Sequence, residues 1–140
     1  MSVRLNERSK TTLEVLDDAK NLCDYTLTIC KNEKYFPKSQ RWMLTQKIVN
    51  ETIDTVACIR HANSTYVRKE EKYQRDFEYR HRQQIEAHAH LDAILTLIDV
   101  AQKHLGIDPR QIEFWTGLIL KTDNALKEWT NSDYDRFCLR

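Results

Sequence analysis

Two glycines and two prolines in 140 residues leave this chain almost no turn chemistry, and that scarcity constrains its fold more than any other feature. β-rich folds reverse direction often and draw on Gly, Pro, Asn and Asp to do so. An all-β sandwich or barrel is therefore all but excluded. Rossmann and P-loop folds need clustered glycines where backbone approaches phosphate, and Gly106 and Gly117 form no cluster. Hydrophobic residues at 41% and charged residues at 31% mark a globular chain rather than a disordered one. The length suits one domain. No apolar run approaches the roughly 20 residues of a membrane span. The opening MSVRLNERSK lacks the apolar stretch of a secretory signal. The expected setting is the cytoplasm, away from membranes.

Helical periodicity dominates what remains. A first segment, from about residue 11 to residue 30, carries Leu13, Leu16, Cys23, Leu27 and Cys30 as one stripe. A second follows Pro37, with Ser39 as candidate N-cap, and runs to Ala62 or Tyr66. Residues 68–84 are almost wholly polar and read either as loop or as the exposed start of a helix. A third stripe holds Leu91, Ile94, Leu95, Ile98, Ala101 and Leu105, with Gly106 placed as a C-cap. Asp108 and Pro109 then supply an N-cap and a first-turn proline for a fourth helix, whose inward face is Ile112, Trp115, Ile119, Leu126 and Trp129. The tail from residue 130 lacks periodicity. These segments predict an all-α, antiparallel up-down four-helix bundle over residues 11–129, with an N-terminal arm at 1–10 and a mobile tail at 130–140.

Two helices carry more apolar surface than one burial partner requires. The first has a further stripe, Val15, Leu22 and Ile29, at intervals of seven. The second has Trp42, Val49, Ile53 and Val56 on one side and Leu44, Ile48, Ile59 and Ala62 on another. The expected outcome is a homo-oligomer whose interface uses Val15, Leu22, Ile29, Trp42, Val49 and Ile53. A doubly packed central helix within one protomer is the alternative.

Chemistry-bearing motifs are sparse. Cys23, Cys30, Cys58 and Cys138 include no CxxC pair, and free Cys behaves as a small buried hydrophobe. Di-metal carboxylate bundles need two Glu-x-x-His pairs, and only Glu78 to His81 matches. His88 and Asp92 share a helix face, whereas Glu86 and His90 lie on another, which fits surface pairs around a core-edge His88. No nucleophile-and-base signature is present. No metal, no cofactor and no enzymatic activity are expected.

Charge distribution carries the clearest functional signal. The net charge is +1, yet residues 35–84 hold ten Lys and Arg against six Asp and Glu, and the remainder holds twelve against fifteen. Arg68, Lys72, Arg75 and Arg82 recur at helical spacing with Tyr79 in the row, and Lys38, Arg41 and Lys47 add charge near the second helix. Such a ridge suits phosphate contacts and base stacking. A solvated face compensated by Glu70, Glu71 and Glu78 is the plainer reading.

The stretch KYFPKSQRWMLTQKIVNETIDTVACIRHAN resembles the four-helix-bundle family of accessory variability proteins from diversity-generating retroelements. It is similar also to proteins encoded in intervening sequences of large-subunit rRNA genes. Phe36, Pro37, Lys38, Arg41, Ala62 and Asn63 match the family's entry and exit pattern, and HLDAILTLIDVAQKHLGIDPRQIEFWTGLI resembles its third helix, turn and fourth helix. The resemblance covers roughly residues 12–130. It implies a homopentamer that binds a reverse transcriptase and its template RNA or RNA–DNA to support mutagenic cDNA synthesis. The rRNA relatives imply instead a structural or interaction protein without nucleic-acid activity.

Overall fold

A computed structural model describes the backbone of residues 2–67 and 73–137, with side chains described for 14–67 and 74–137. The elements run α1 (Ser2–Lys31), α2 (Gln46–Ser64), α3 (Tyr73–Leu105) and α4 (Pro109–Phe137). No strand occurs among the described residues. α2 lies against α1 and α3, and α4 lies against the same two helices, an arrangement compatible with a four-helix bundle.

Each helix buries one stripe, and the stripes explain the packing. On α1 the fully enclosed positions are Val15, Ala19, Leu22, Thr26 and Ile29. On α2 they are Ile48, Thr52, Thr55, Ile59 and Ala62. Both series alternate steps of three and four, the spacing that keeps side chains on one helix face. Threonine is tolerated there because its hydroxyl is satisfied within its own helix: Thr26, Thr52, Thr55 and Thr122 each donate to the carbonyl four residues back at 2.8–2.9 Å. Trp115, fully buried, also needs a partner for its indole N–H, and donates it to Thr26 Oγ1 at 3.0 Å.

Two boundaries differ from the sequence expectation, and one of the two readings left open for the polar segment is decided. α1 begins at Ser2, so residues assigned to an N-terminal arm are helical. α4 runs to Phe137, so the supposed mobile tail continues the helix through residue 137, with Asp133 and Phe137 buried. Residues 68–72 and 138–140 lie outside the described residues, and from Tyr73 onward the polar segment is the start of α3.

The turns follow their local chemistry. Gly106 takes φ +63, the left-handed conformation glycine supplies at least cost, and its N–H donates to the Gln102 carbonyl at 3.1 Å. Asp108 caps α4 by accepting the Arg110 N–H at 2.9 Å. Ser39 does not cap α2. It sits in a 3-10 turn (Lys38–Gln40) that leads into a π-helical turn (Arg41–Thr45) before α2 begins. Buried Phe36, edge-on to Trp115 at 6.1 Å, fixes where that connection starts.

Candidate nucleic-acid interface and self-association face

The basic residues fall into two groups. Lys38, Arg41 and Lys47 are exposed around the α1–α2 connection, where Lys31, Lys38, Arg41 and Phe36 border a cleft of about 250 Å3. Lys38 pairs with Glu33 at 3.6 Å, both largely in solvent, and such pairs contribute little. Cys30 lines the same cleft, and burial pushes its thiol up to about 12, so it remains protonated. Arg75, Tyr79 and Arg82 are exposed along the first turns of α3. Arg68 and Lys72, the other members of that ridge, lie outside the described residues.

The two groups occupy opposite ends of the molecule. Phe36, beside Lys38, packs on Trp115 early in α4, whereas Arg80, within the ridge stretch, reaches Asp133 late in α4. Eighteen residues of helix separate Trp115 from Asp133, about 27 Å. One protomer therefore does not gather its cations into a single platform.

Arg80 itself is a site the sequence reading missed. It is buried, and its Nε and Nη2 donate to the two carboxylate oxygens of Asp133 at 2.6 and 3.1 Å. Its Nη1 donates to the Thr65 carbonyl at 3.2 Å, and its guanidinium lies 5.1 Å from the Trp129 ring centre. Gln84, also buried, donates Nε2 to Asp133 at 2.8 Å. This network ties the end of α2 to α3 and α4 at the end where the ridge stands.

The histidines bridge helices. His88 Nδ1 meets Asp123 at 2.5 Å and its Nε2 meets Asp92 at 3.5 Å, joining α3 to α4. His90 Nδ1 meets Glu51 at 2.6 Å, joining α3 to α2. Two residues apart, they face different neighbours, as the sequence spacing implied. Among the described residues no group of three or more His, Cys, Asp or Glu side chains is arranged to hold a metal ion.

The expected self-association face divides. Val15, Leu22 and Ile29 are 0%, 0% and 4% exposed, so the α1 residues assigned to an interface are core of the single protomer. With Ala19 and Thr26 filling their gaps, these three form the inward face, and of the other stripe Leu16 and Cys30 are buried beside them while Cys23 and Leu27 are half-buried, so both stripes serve the protomer's own core. On α2 the outward stripe remains open. Trp42 is 74% and Ile53 46% exposed, and Val49 and Val56 are half-buried. Met43, not singled out from sequence, is 67% exposed beside Trp42. The π-helical turn places both in the segment before α2.

No helix among the described residues is long and apolar enough to cross a membrane. No protein-family model, no curated protein and no solved structure matches this chain.

Proposed function

We propose that this protein is a non-enzymatic accessory factor of the retroelement type. In that reading it is an antiparallel up-down four-helix bundle that assembles into a ring, a pentamer by family resemblance, and binds a reverse transcriptase together with template RNA or RNA–DNA. The observation that carries the reading is the uncovered apolar surface of Trp42 and Met43 in the turn before α2 and of Ile53 within α2. Exposed aromatic and thioether side chains in one stretch mark interaction surface. Assembly of identical copies repeats each small basic group around an axis, and repetition strengthens contacts that are weak singly. Arg75, Tyr79 and Arg82 then supply phosphate and stacking contacts at one end, and Lys38, Arg41 and Lys47 supply them at the other.

The near-neutral net charge of +1 and the separation of the two basic groups favour a second reading, a structural protein of the rRNA intervening-sequence type. Binding to structured RNA across a salt series decides between them. The accessory reading expects affinity that falls steeply with salt, and loss of most of it when Arg68, Lys72, Arg75 and Arg82 are changed together to Gln. RNA affinity absent at low salt sinks the accessory reading. A reverse-transcriptase gene adjoining its own supports the first reading, and a position inside an rRNA gene supports the second.

A further inference from the structure

A ring of identical copies needs two different faces. A patch that meets only its own like closes as a dimer, whereas a ring repeats a contact between unlike patches. Trp42 and Met43 supply one of them. α2 and α4 each lie against α1 and α3, so they stand at opposite corners of the bundle. α4 carries a face suited to be the other. Phe114 and Leu120 are 57% and 47% exposed, and Gly117 stands exposed between them, three residues from each. The three form one oblique row of the helix surface. Phe114 lies edge-on to Tyr25, ring centres 4.9 Å apart, which extends the face onto α1.

Among the described residues nothing calls for glycine at 117. A Cβ there would meet nothing within 4 Å, and only Gly106 has a positive φ. Glycine in a helix interior weakens it relative to alanine. The missing side chain leaves a notch with apolar shoulders, the kind of hole into which a neighbouring helix inserts a large side chain.

Charge matches the two faces. Residues 34–50, which hold Trp42 and Met43, contain Lys34, Lys38, Arg41 and Lys47 and no acid, and Lys38 pairs with Glu33. On α1, Tyr25 and Asp18 face α4, and Glu14, Asp17 and Asp24 are exposed on the solvent side of that edge. Glu113 adjoins Phe114. The cations nearby are Lys20, Arg110 in the first turn of α4, and Lys121, which Asp18 holds at 3.6 Å.

We propose that the Gly117 face of α4 receives the Trp42 and Met43 side chains of a second copy of this chain, with Arg41 and Lys47 turned toward the α1 carboxylates and Glu113. The inference rests on the self-association reading above and adds the face that completes the ring. Both faces belong to the end where Phe36, in the α1–α2 connection, packs on Trp115. Successive copies then stand side by side at one level, which suits closure rather than a climbing filament.

Light scattering and far-UV circular dichroism on three variants provide the test. Phe114→Glu should reduce the assembly to single subunits with helical content unchanged. Gly117→Gln should likewise abolish assembly, by filling the notch. In the Trp42→Glu background, where no assembly contributes, Gly117→Gln should raise the urea midpoint, because glutamine is a better helix former. A residue serving only the protomer's fold would not move folding and association in opposite directions. Trp42→Glu and Phe114→Glu each retain the face the other lacks, so an equal mixture should pair into a species of twice the protomer mass. Assembly that survives Phe114→Glu or Gly117→Gln, a lowered urea midpoint, or a mixture that stays at the protomer mass overturns the α4 face and leaves self-association through α2 standing. Wild-type protein that is a single subunit at every concentration overturns both.

Discussion

Arg80 and Asp133 show how much a single pair can decide. Both are buried, joined by two hydrogen bonds, and supported by Thr65 and Gln84. A buried pair adds little over a well-packed apolar replacement, but removing one partner strands the other charge. Arg80→Ala should therefore destabilise the fold by about 3–5 kcal/mol in urea denaturation. Arg80→Met combined with Asp133→Leu should cost less than the single change, and a double variant as unstable as the single one would contradict this account.

Asp18 is a second residue whose charge is poorly accommodated. It is buried, its Oδ2 has no partner, and its Oδ1 is 3.6 Å from Lys121 Nζ. Burial pushes its carboxyl above the ordinary range, Lys121 draws it back only in part, and Glu14 and Asp17 push it further up. A raised folded-state value means that the native protein binds the proton more tightly than the unfolded chain does. Stability then falls as pH rises from the usual carboxylate range through the raised value. Asp18→Asn removes that loss, so the stability of the variant relative to wild type should rise as pH climbs from the usual carboxylate range, about 4, through the interval above it. A relative stability that is constant or decreasing over the same interval would refute the assignment.

At the level of elements, Gly106 ends α3 with a conformation that a side chain resists. A Cβ there meets nothing within 4 Å, so the only penalty is backbone strain at φ +63. Gly106→Ala should cost about 1 kcal/mol, measured as a shift in the urea midpoint with an unchanged slope. This turn and the Asp108 cap were fully legible in the sequence, because their chemistry is local. The two ends of α3 and α4 that meet were not. The buried positions of α3 run Phe77, Arg80, Gln84, Ala87, Leu91, an unbroken helical series, but two of its first three members are polar. The same holds where α4 continues through Trp129 to Asp133 and Phe137. Hydrophobic periodicity cannot register an arginine that is inside because an aspartate is inside with it. Each polar slot hid the other, and so a loop-or-helix ambiguity arose on one strand of the chain and a mobile tail was expected on the other. On α1, two apolar stripes offered themselves, and members of both are buried, because only the placement of the neighbouring helices shows that one protomer can cover them.

For the molecule as a whole, the outward stripe of α2, with the exposed residues just before it, is a contact surface of the proposed assembly. Trp42 and Ile53 are exposed in the protomer, so Trp42→Glu or Ile53→Glu should leave helical content unchanged while reducing the mass seen by light scattering. Unfolding in place of dissociation would show that these side chains serve the protomer's own core. The same substitutions at Leu22 or Ile29 should unfold the chain, since those residues are enclosed within it. The basic residues identified from sequence are exposed where described, but their distribution over two ends was not legible, because spacing along a chain does not reveal which ends of helices lie side by side.

The three tryptophans divide two against one, with Trp115 and Trp129 at 0% and 3% exposure and Trp42 at 74%. Quenching by a dissolved probe such as acrylamide should accordingly single out one indole, and its emission should move to the blue when copies of the chain cover it. The exposed indole thus offers an intrinsic optical test of the proposed association, needing neither a label nor knowledge of any partner.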